Sequence, residues 1–222
     1  MVEIGCGQRL KGETPQMRFS KFTRRGWLFA TAGPLVPVVR AAAADWSPLF
    51  DGKTLAGWEK TGNAAWSIED GAIVGRQGPG GAAGDLFTEK HWKDFDLEAE
   101  WKMRWPGNSG IWFRYSGPKT GYQADFIDQP SHPGVLSGSL YCVGKAFIAE
   151  NRDASSVNKD DWNSLRIRAS GNRFEIRQNG KKVIEATDDA FPAAGSIGIQ
   201  VHPGDDFTGM EVRVRNLRIR SL

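Results

Sequence analysis

The sequence predicts an all-β protein built as a sandwich of two antiparallel sheets. Three observations favour this class. Apolar and polar residues alternate over much of the chain, as they do in strands with one buried face. Turn residues are abundant, with 27 glycines and 11 prolines in 222 residues. No stretch shows the periodicity of an amphipathic helix. We therefore expect roughly a dozen strands in two sheets.

The charge distribution argues against a nucleic-acid-binding protein. The formal net charge is +3, but the first 44 residues contain seven basic and two acidic residues. The remaining chain carries 22 basic and 24 acidic residues, a net charge of −2. A nucleic-acid binder would keep a basic surplus in its folded part.

The first 44 residues read as an export signal. Residues 20–29, SKFTRRGWLF, resemble a twin-arginine signal, an apolar stretch covers 27–39, and four alanines at 41–44 suit a cleavage site. The apolar run is too short and too broken by Gly and Pro to span a bilayer. We expect an exported, periplasmic protein in which residues 45–222 form one domain, with no membrane span after removal of the signal.

The N-terminal part of that domain predicts short strands joined by tight turns. Residues 66–75 contain a hairpin around Asp70-Gly71, and residues 85–88 form a short strand. The glycine-rich run 77–84 lacks the Lys and the following helix of a phosphate-binding loop, so we interpret it as a surface loop.

The centre of the chain carries the polar residues on which a functional site depends. Strict alternation over 94–105 predicts a long strand, and two further strands are expected at 111–115 and 122–128. The last two carry polar side chains where a purely structural sheet has no need of them. We expect these side chains to form the floor of a site on a concave sheet: Arg114, Gln123, Asp125 and Asp128.

The C-terminal third predicts a regular antiparallel meander. Residues 138–143 form a strand, followed by a long loop, 144–161, of the kind that builds binding rims. Asn179-Gly180 is a strong hairpin signal, and a change of phase at Asn216 suggests a bulge. Cys142, in an apolar strand, is interpreted as a small buried hydrophobe rather than a nucleophile.

Nine motifs in register resemble the bacterial DUF1080 family, described as 3-keto-disaccharide hydrolases or 3-keto-glucoside lyase/hydratases. The motifs are LFDGKTLAGW (49–58), WSIEDGAIVG (66–75), FDLEAEWK (95–102), NSGIWFR (108–114), GYQADFID (121–128), LSGSLY (136–141), WN (162–163), NG (179–180) and GSIGIQVH (195–202). The resemblance covers essentially all of residues 45–222. It implies a concanavalin A-like jelly-roll sandwich, in agreement with the strand pattern.

The resemblance implies chemistry on a glycoside that a separate sugar 3-dehydrogenase has already oxidised at C3. The ketone acidifies the C2 hydrogen, so a base can remove it while other groups hold the enolate, and the glycosidic oxygen at C1 then departs. Water can add to the glycal-type product. We expect a small-molecule carbohydrate substrate and no nicotinamide or flavin in this protein, while a divalent metal ion is one option for holding the enolate.

Eight residues are candidates for the site. His202 ends a strand where the family places a His-Gly pair, and a neutral imidazole suits a general base or a metal ligand. The planar head of Arg114 suits sugar hydroxyls or an enolate oxygen. Trp112 could stack on a sugar face or simply be buried. The candidate catalytic residues are Asp128, His202, Asp125 and Arg114; those for substrate binding are Gln123, Asn108, Tyr141 and Trp112; His202 and Asp128 are candidate metal ligands.

The segment 121–128 departs from the family pattern, Gly-Tyr-Glu-x-Gln-x-x-Asp. Gln123 stands at the Glu position and Asp125 at the Gln position. Residues i and i+2 of a strand share a face, so Asp125 could replace the missing carboxylate. A non-catalytic carbohydrate-binding module of the same fold is therefore the alternative hypothesis. A conventional glycosidase is less well supported, because this strand lacks the Glu-rich pattern of jelly-roll glucanases.

Overall fold

A computed structural model describes residues 45–129 and 131–222. These residues form fifteen strands and two short 3₁₀ turns, at Ala154–Ser156 and Asp205–Phe207. The strands are β1 (Ser47–Pro48), β2 (Trp58–Gly62), β3 (Ala65–Glu69), β4 (Ala72–Arg76), β5 (Gly84–Trp92), β6 (Phe95–Arg104), β7 (Gly107–Tyr115), β8 (Tyr122–Asp128), β9 (Leu136–Cys142), β10 (Ala146–Asn151), β11 (Asn163–Ser170), β12 (Arg173–Gln178), β13 (Lys181–Thr187), β14 (Gly195–Val201) and β15 (Glu211–Ser221).

The strands form two antiparallel sheets, which confirms the predicted fold class. One sheet has eight strands, in the order β13-β12-β11-β6-β15-β4-β3 with β1 beside β15. The other has seven, in the order β10-β9-β8-β7-β14-β5-β2. Alternate residues of both sheets, such as Trp101, Phe113, Phe126 and Ile167, are fully buried in one apolar cluster. This is the jelly-roll arrangement, with the core between the sheets.

Several predicted turns and strands are confirmed. The β12–β13 hairpin turns at Asn179, which has the positive φ of 50° that this turn type favours. The bulge at Asn216 is also present, with φ 51° and a register shift between Arg215 and Arg218 against β6. Cys142 is buried and unpaired, and burial raises the pKa of its thiol to about 11, which keeps it protonated.

Other predictions need correction. The expected loop 144–161 contains β10, a strand that pairs with β9. β2 was missed as well, because Trp58 is the only large apolar residue in Trp58–Gly62. The predicted export signal lies outside the described residues. The described part of the chain contains no helix that could cross a membrane.

The outer face of the eight-stranded sheet is covered by ion pairs. Its most buried charge is Asp96, whose carboxylate is paired with the guanidinium groups of Arg166, Arg168 and Arg220. A buried carboxylate is tolerated where cations and hydrogen bonds surround it. This face therefore explains the arginines that alternate along β11 and β15, and it is remote in the fold from the polar residues predicted to form a site.

Candidate active site on the seven-stranded sheet

The polar residues lie on the face of the seven-stranded sheet that is turned away from the core, here called the polar face. Residues directly opposite one another in antiparallel strands share a face. One unbroken row of such pairs crosses all seven strands, from Glu59 through Phe87, Gly198, Trp112, Gln123 and Tyr141 to Phe147. A second row contains Thr61, Asp85 and Gln200 on one side and Gly110 with Asp125 on the other.

Glycine in the central strands lets side chains meet across the polar face. The Gln123 Nε2 atom donates a 3.1 Å hydrogen bond to Gln200 Oε1, although β7 separates their strands. A Cβ atom at Gly110 would lie 2.7 Å from both Cγ and Nε2 of Gln123. At Gly198, a Cβ would lie 2.3 Å from the Phe87 ring. These positions admit only glycine if the two glutamines and the Phe87 ring are to keep their places.

Asp85 is a partly buried carboxyl group held by a tryptophan. The indole Nε1 of Trp112 donates a 2.9 Å hydrogen bond to Asp85 Oδ1. Burial raises the pKa of Asp85 to about 6, although this hydrogen bond lowers it. The Oδ2 atom accepts no hydrogen bond from the described residues. At pH 7 Asp85 is therefore mostly ionised, with a pKa close to the working pH, which is the property of an efficient general base.

Asp125 lies in a different environment on the same face. It is 4% exposed, and its Oδ1 atom is buried with no hydrogen-bond partner among the described residues. Burial raises its pKa well above the usual range for a carboxyl group. β8 and β5 are three strands apart in the sheet, so about 14 Å separates the backbones of Asp125 and Asp85.

Aromatic rings line the polar face from β5 to β10. Phe87 and Tyr115 stack with 4.0 Å between ring centroids, and Tyr115 lies 5.8 Å from Trp112. Tyr141 follows at 6.2 Å from Trp112, and Phe147 at 6.0 Å from Tyr141. Neither tyrosine hydroxyl forms a hydrogen bond with a described residue. Burial raises the pKa of both tyrosines, so both hydroxyls stay protonated and can donate to a ligand.

A series of contacting polar side chains lies at one end of the polar face. Asn108 Nδ2 donates to Gln129 Oε1 at 3.3 Å, and Gln129 Nε2 lies 2.8 Å from His132 Nδ1. The His132 ring also contacts Phe147, with 5.3 Å between ring centroids. The segment after β8 therefore lies beside the aromatic row. Asn108, predicted to bind sugar, is placed at this end.

Arg114 does not join the floor of the site, contrary to our expectation. Its φ of 50° interrupts the alternation of β7, so that its guanidinium lies over the core residue Phe174, 5.3 Å from the ring centroid. The side chain is 2% exposed. It donates to Lys93 O at 2.9 Å and to Gly171 O at 2.7 Å. These contacts connect β7 to two turns, and they keep the head group away from the polar face.

Asp128 and His202 lie at one end of the seven-stranded sheet, where the His202 N–H donates to Asn108 O at 3.4 Å and Asp128 pairs with Gly107. Asp128 forms an ion pair with Lys159. His202 Nδ1 lies 2.7 Å from Pro203 O, and its ring contacts Phe207. Nowhere in the described residues do three His, Cys, Asp or Glu side chains converge as a metal site would require. The metal-binding and catalytic roles of His202 and Asp128 both stay predictions.

The comparison with known proteins identifies the family. Residues 45–220 match the family described as "3-keto-alpha-glucoside-1,2-lyase-like domain". The chain belongs to this family. A curated relative from Bacteroides thetaiotaomicron, named 3-keto-disaccharide hydrolase, is 29% identical over 231 aligned positions, which cover 78% of this chain and 77% of the relative. The resemblance inferred from the motifs is thus confirmed.

Solved structures of the same fold extend beyond the lyase-like family. A Bacillus subtilis protein with a galectin-like fold matches with a TM-score of 0.65 at 14% identity, covering 81% of this chain and 96% of that one. A carbohydrate-binding module from Bacillus subtilis matches with a TM-score of 0.60 at 21% identity, covering 74% and 96% of the two chains. At these identities the likeness establishes the jelly-roll fold alone.

Sequence reasoning found part of the polar face of this lyase-like domain and missed the rest. Gln123 and Asp125 were predicted for the floor of the site, and Trp112 and Tyr141 were candidate sugar contacts; the structure brings these four residues together on one face. Asp85 was missed, because it follows a glycine-rich loop and opens what looked like a short strand. The available signal was GDLFTEKHW at 84–92, which alternates long enough to be a full strand of the same sheet.

Proposed function

We propose that this protein cleaves 3-keto-glycosides by elimination across C1 and C2, followed by addition of water. The observation that carries the proposal is the pair of carboxyl groups on the polar face of a lyase-like domain: Asp85, held by the Trp112 indole, and Asp125, whose Oδ1 is buried without a partner. Two carboxyl groups in such different environments are typical of an acid–base pair.

Asp85 is the base in this proposal. Its carboxylate takes the proton from C2 of the 3-keto sugar, and the C–H electron pair forms an enolate with the C3 oxygen. Collapse of the enolate restores the ketone, forms the C1–C2 double bond and breaks the bond from C1 to the glycosidic oxygen, which takes up a proton. Water then adds its oxygen to C1 and a proton to C2. The sum is hydrolysis, without change of oxidation state.

The remaining residues of the polar face bind the sugar. The rings of Tyr115, Trp112 and Tyr141 provide an apolar surface for the C–H faces of a pyranose. Gln123 and Gln200, fixed by their mutual hydrogen bond, present further polar atoms to hydroxyl groups. No step is assigned to Asp128 or Arg114, whose charged groups pair with other residues of the protein, or to His202, whose Nδ1 lies 2.7 Å from Pro203 O.

The setting of the reaction follows from the substrate. A 3-keto-glycoside must be made by an enzyme that oxidises the C3 hydroxyl, so a separate sugar 3-dehydrogenase acts first. Residues 20–44 would direct export to the periplasm. A divalent ion that holds the enolate oxygen is a further hypothesis, and addition of a chelator to the reaction is its test.

The alternative is a carbohydrate-binding module without activity. Gln123 at the position of the expected Glu favours it, as does the row of aromatic rings, which would bind sugar with or without chemistry. The presence of a carbohydrate-binding module among the structures of the same fold is consistent with this reading.

The test is release of a chromogenic aglycone from its 3-keto-glucoside by the purified protein. We expect release by the wild type, and a loss of about a hundredfold or more in Asp85→Asn, since general bases contribute about that much. Asp70→Asn, which alters a carboxylate in the β3–β4 turn, is the matched control and should retain full activity. Saturable binding of the sugar with no release would support the binding module instead. Loss of release on addition of chelator would establish the metal ion.

A further inference from the structure

We propose that Asp125 acts as a neutral carboxylic acid, donating a hydrogen bond to the C3 oxygen of the substrate as that oxygen becomes an enolate. This inference rests on the proposed function and names a role that elimination requires. Arg114 was one candidate for that role on the sequence, but its head group donates to Lys93 O and Gly171 O instead.

The surroundings of Asp125 favour the protonated form. Its Oδ1 atom is buried without a partner, and no described Lys, Arg or His forms an ion pair with the side chain. The neighbour opposite it on β7 is Gly110, which contributes no side chain. A carboxylate in such a place has neither a counter-ion nor hydrogen-bond donors, so the group keeps its proton. This contrasts with Asp96, whose three arginine partners stabilise its charge.

The other titratable groups described on the polar face offer Asp125 no counter-charge. Asp85 on β5 carries negative charge at neutral pH, and Tyr115 on β7 and Tyr141 on β9 are neutral. His132, on the segment after β8, is engaged with Gln129 and Ser131. Among the groups just named, none supplies a fixed positive charge that would stabilise an ionised Asp125.

A protonated, unpartnered carboxyl group suits an enolate oxygen better than a ketone. Negative charge develops on the C3 oxygen only after the proton leaves C2, so a donor aimed at that oxygen binds the transition state more strongly than the substrate. Because Asp125 is already desolvated and its donor is not used within the protein, it needs no reorganisation when the charge forms.

Replacement of Asp125 by Asn and by Leu distinguishes a role as hydrogen-bond donor from a role as base. Asn keeps an N–H donor of similar size that never carries charge, whereas Leu keeps the shape without a donor. We expect Asp125→Asn to retain aglycone release within about tenfold of the wild type and Asp125→Leu to lose about a hundredfold or more, as oxyanion donors do. Asp125→Val provides a second variant without a donor if the Leu variant does not fold.

Infrared difference spectra at pH 7 supply a readout that does not depend on turnover. The carbonyl band of a protonated carboxyl group should be present in the wild type and in Asp85→Asn, and absent in Asp125→Asn. Loss of activity in Asp125→Asn equal to that in Asp125→Leu, with no such band in the wild type, would show an ionised base and overturn the inference. If Asp125→Leu kept full activity while Asp85→Asn lost it, the donor role of Asp125 would be overturned and the proposed function would stand. No turnover by the wild type would overturn the proposed function, and this role with it.

Discussion

Trp112 Nε1 and Asp85 Oδ1 are joined by a 2.9 Å hydrogen bond that links β7 to β5 across Gly198. This bond helps to keep the proposed base ionised. Burial raises the pKa of Asp85 to about 6, and the indole donor opposes that rise because it stabilises the charged form. A partner two strands away therefore lowers the pKa of the carboxyl group proposed to remove the C2 proton.

Removal of this donor should shift the pH dependence of the reaction. In the wild type, kcat/KM should fall below pH about 6, where Asp85 of the free protein becomes protonated. Trp112→Phe keeps a ring and loses the donor, so the pKa of Asp85 should rise and the acid limb should move to higher pH. Tyr115→Phe, a neighbouring ring without a bond to Asp85, is the control. An unchanged limb in Trp112→Phe would contradict the assignment of Asp85.

Gly110→Ala should displace Gln123 on the polar face. The new Cβ would lie 2.7 Å from Gln123 Cγ and from Ala124 O, so side chain and backbone must both move. Overpacking of this kind costs about 1 to 3 kcal/mol of unfolding free energy, and substrate binding should weaken as Gln123 leaves Gln200. Denaturant unfolding and KM measure the two effects. In a Gln123→Ala background the same change should cost less, and strict additivity would contradict the steric explanation.

Arg114→Met should destabilise the fold without a direct effect on chemistry. Three carbonyl oxygens, of Lys93, Gly171 and Phe191, would lose a donor, and Asp94 would lose its ion pair with Arg114. We expect a loss on the order of 3 kcal/mol of unfolding free energy. The exposed pair of Arg152 with Glu150 serves as control, where Arg152→Met should cost less than about 1 kcal/mol. A folded Arg114→Met protein with normal stability and no activity would restore the original hypothesis.

The stability of the wild type relative to Asp125→Asn should depend on pH. The pKa of Asp125 is raised in the folded state, so between about pH 4 and that pKa the folded protein holds a proton that the unfolded chain releases. The wild type should therefore lose about 1.4 kcal/mol of unfolding free energy per pH unit relative to the variant over this range. Urea unfolding at several pH values measures the difference, and parallel curves would show that Asp125 ionises normally.

Local sequence patterns predicted the strands and turns of this protein better than the orientation of single side chains. The turn at Asn179-Gly180 and the bulge at Asn216 carry their own backbone signals and were found. Arg114 was misplaced, because its positive φ has no signal in the surrounding residues and reverses the face to which its side chain belongs. Asp85 and Gln200 were missed, because their closeness to Gln123 and Trp112 depends on the order of strands in the sheet.

The fate of the C2 hydrogen tests the central claim most directly. Elimination removes this hydrogen and rehydration replaces it from solvent, whereas direct displacement at C1 leaves it in place. In deuterated water, the released 3-keto sugar should carry deuterium at C2, well above the level in product incubated without protein for the same time. Aglycone release by the wild type with retention of the original C2 hydrogen would contradict elimination and the role of Asp85 as its base.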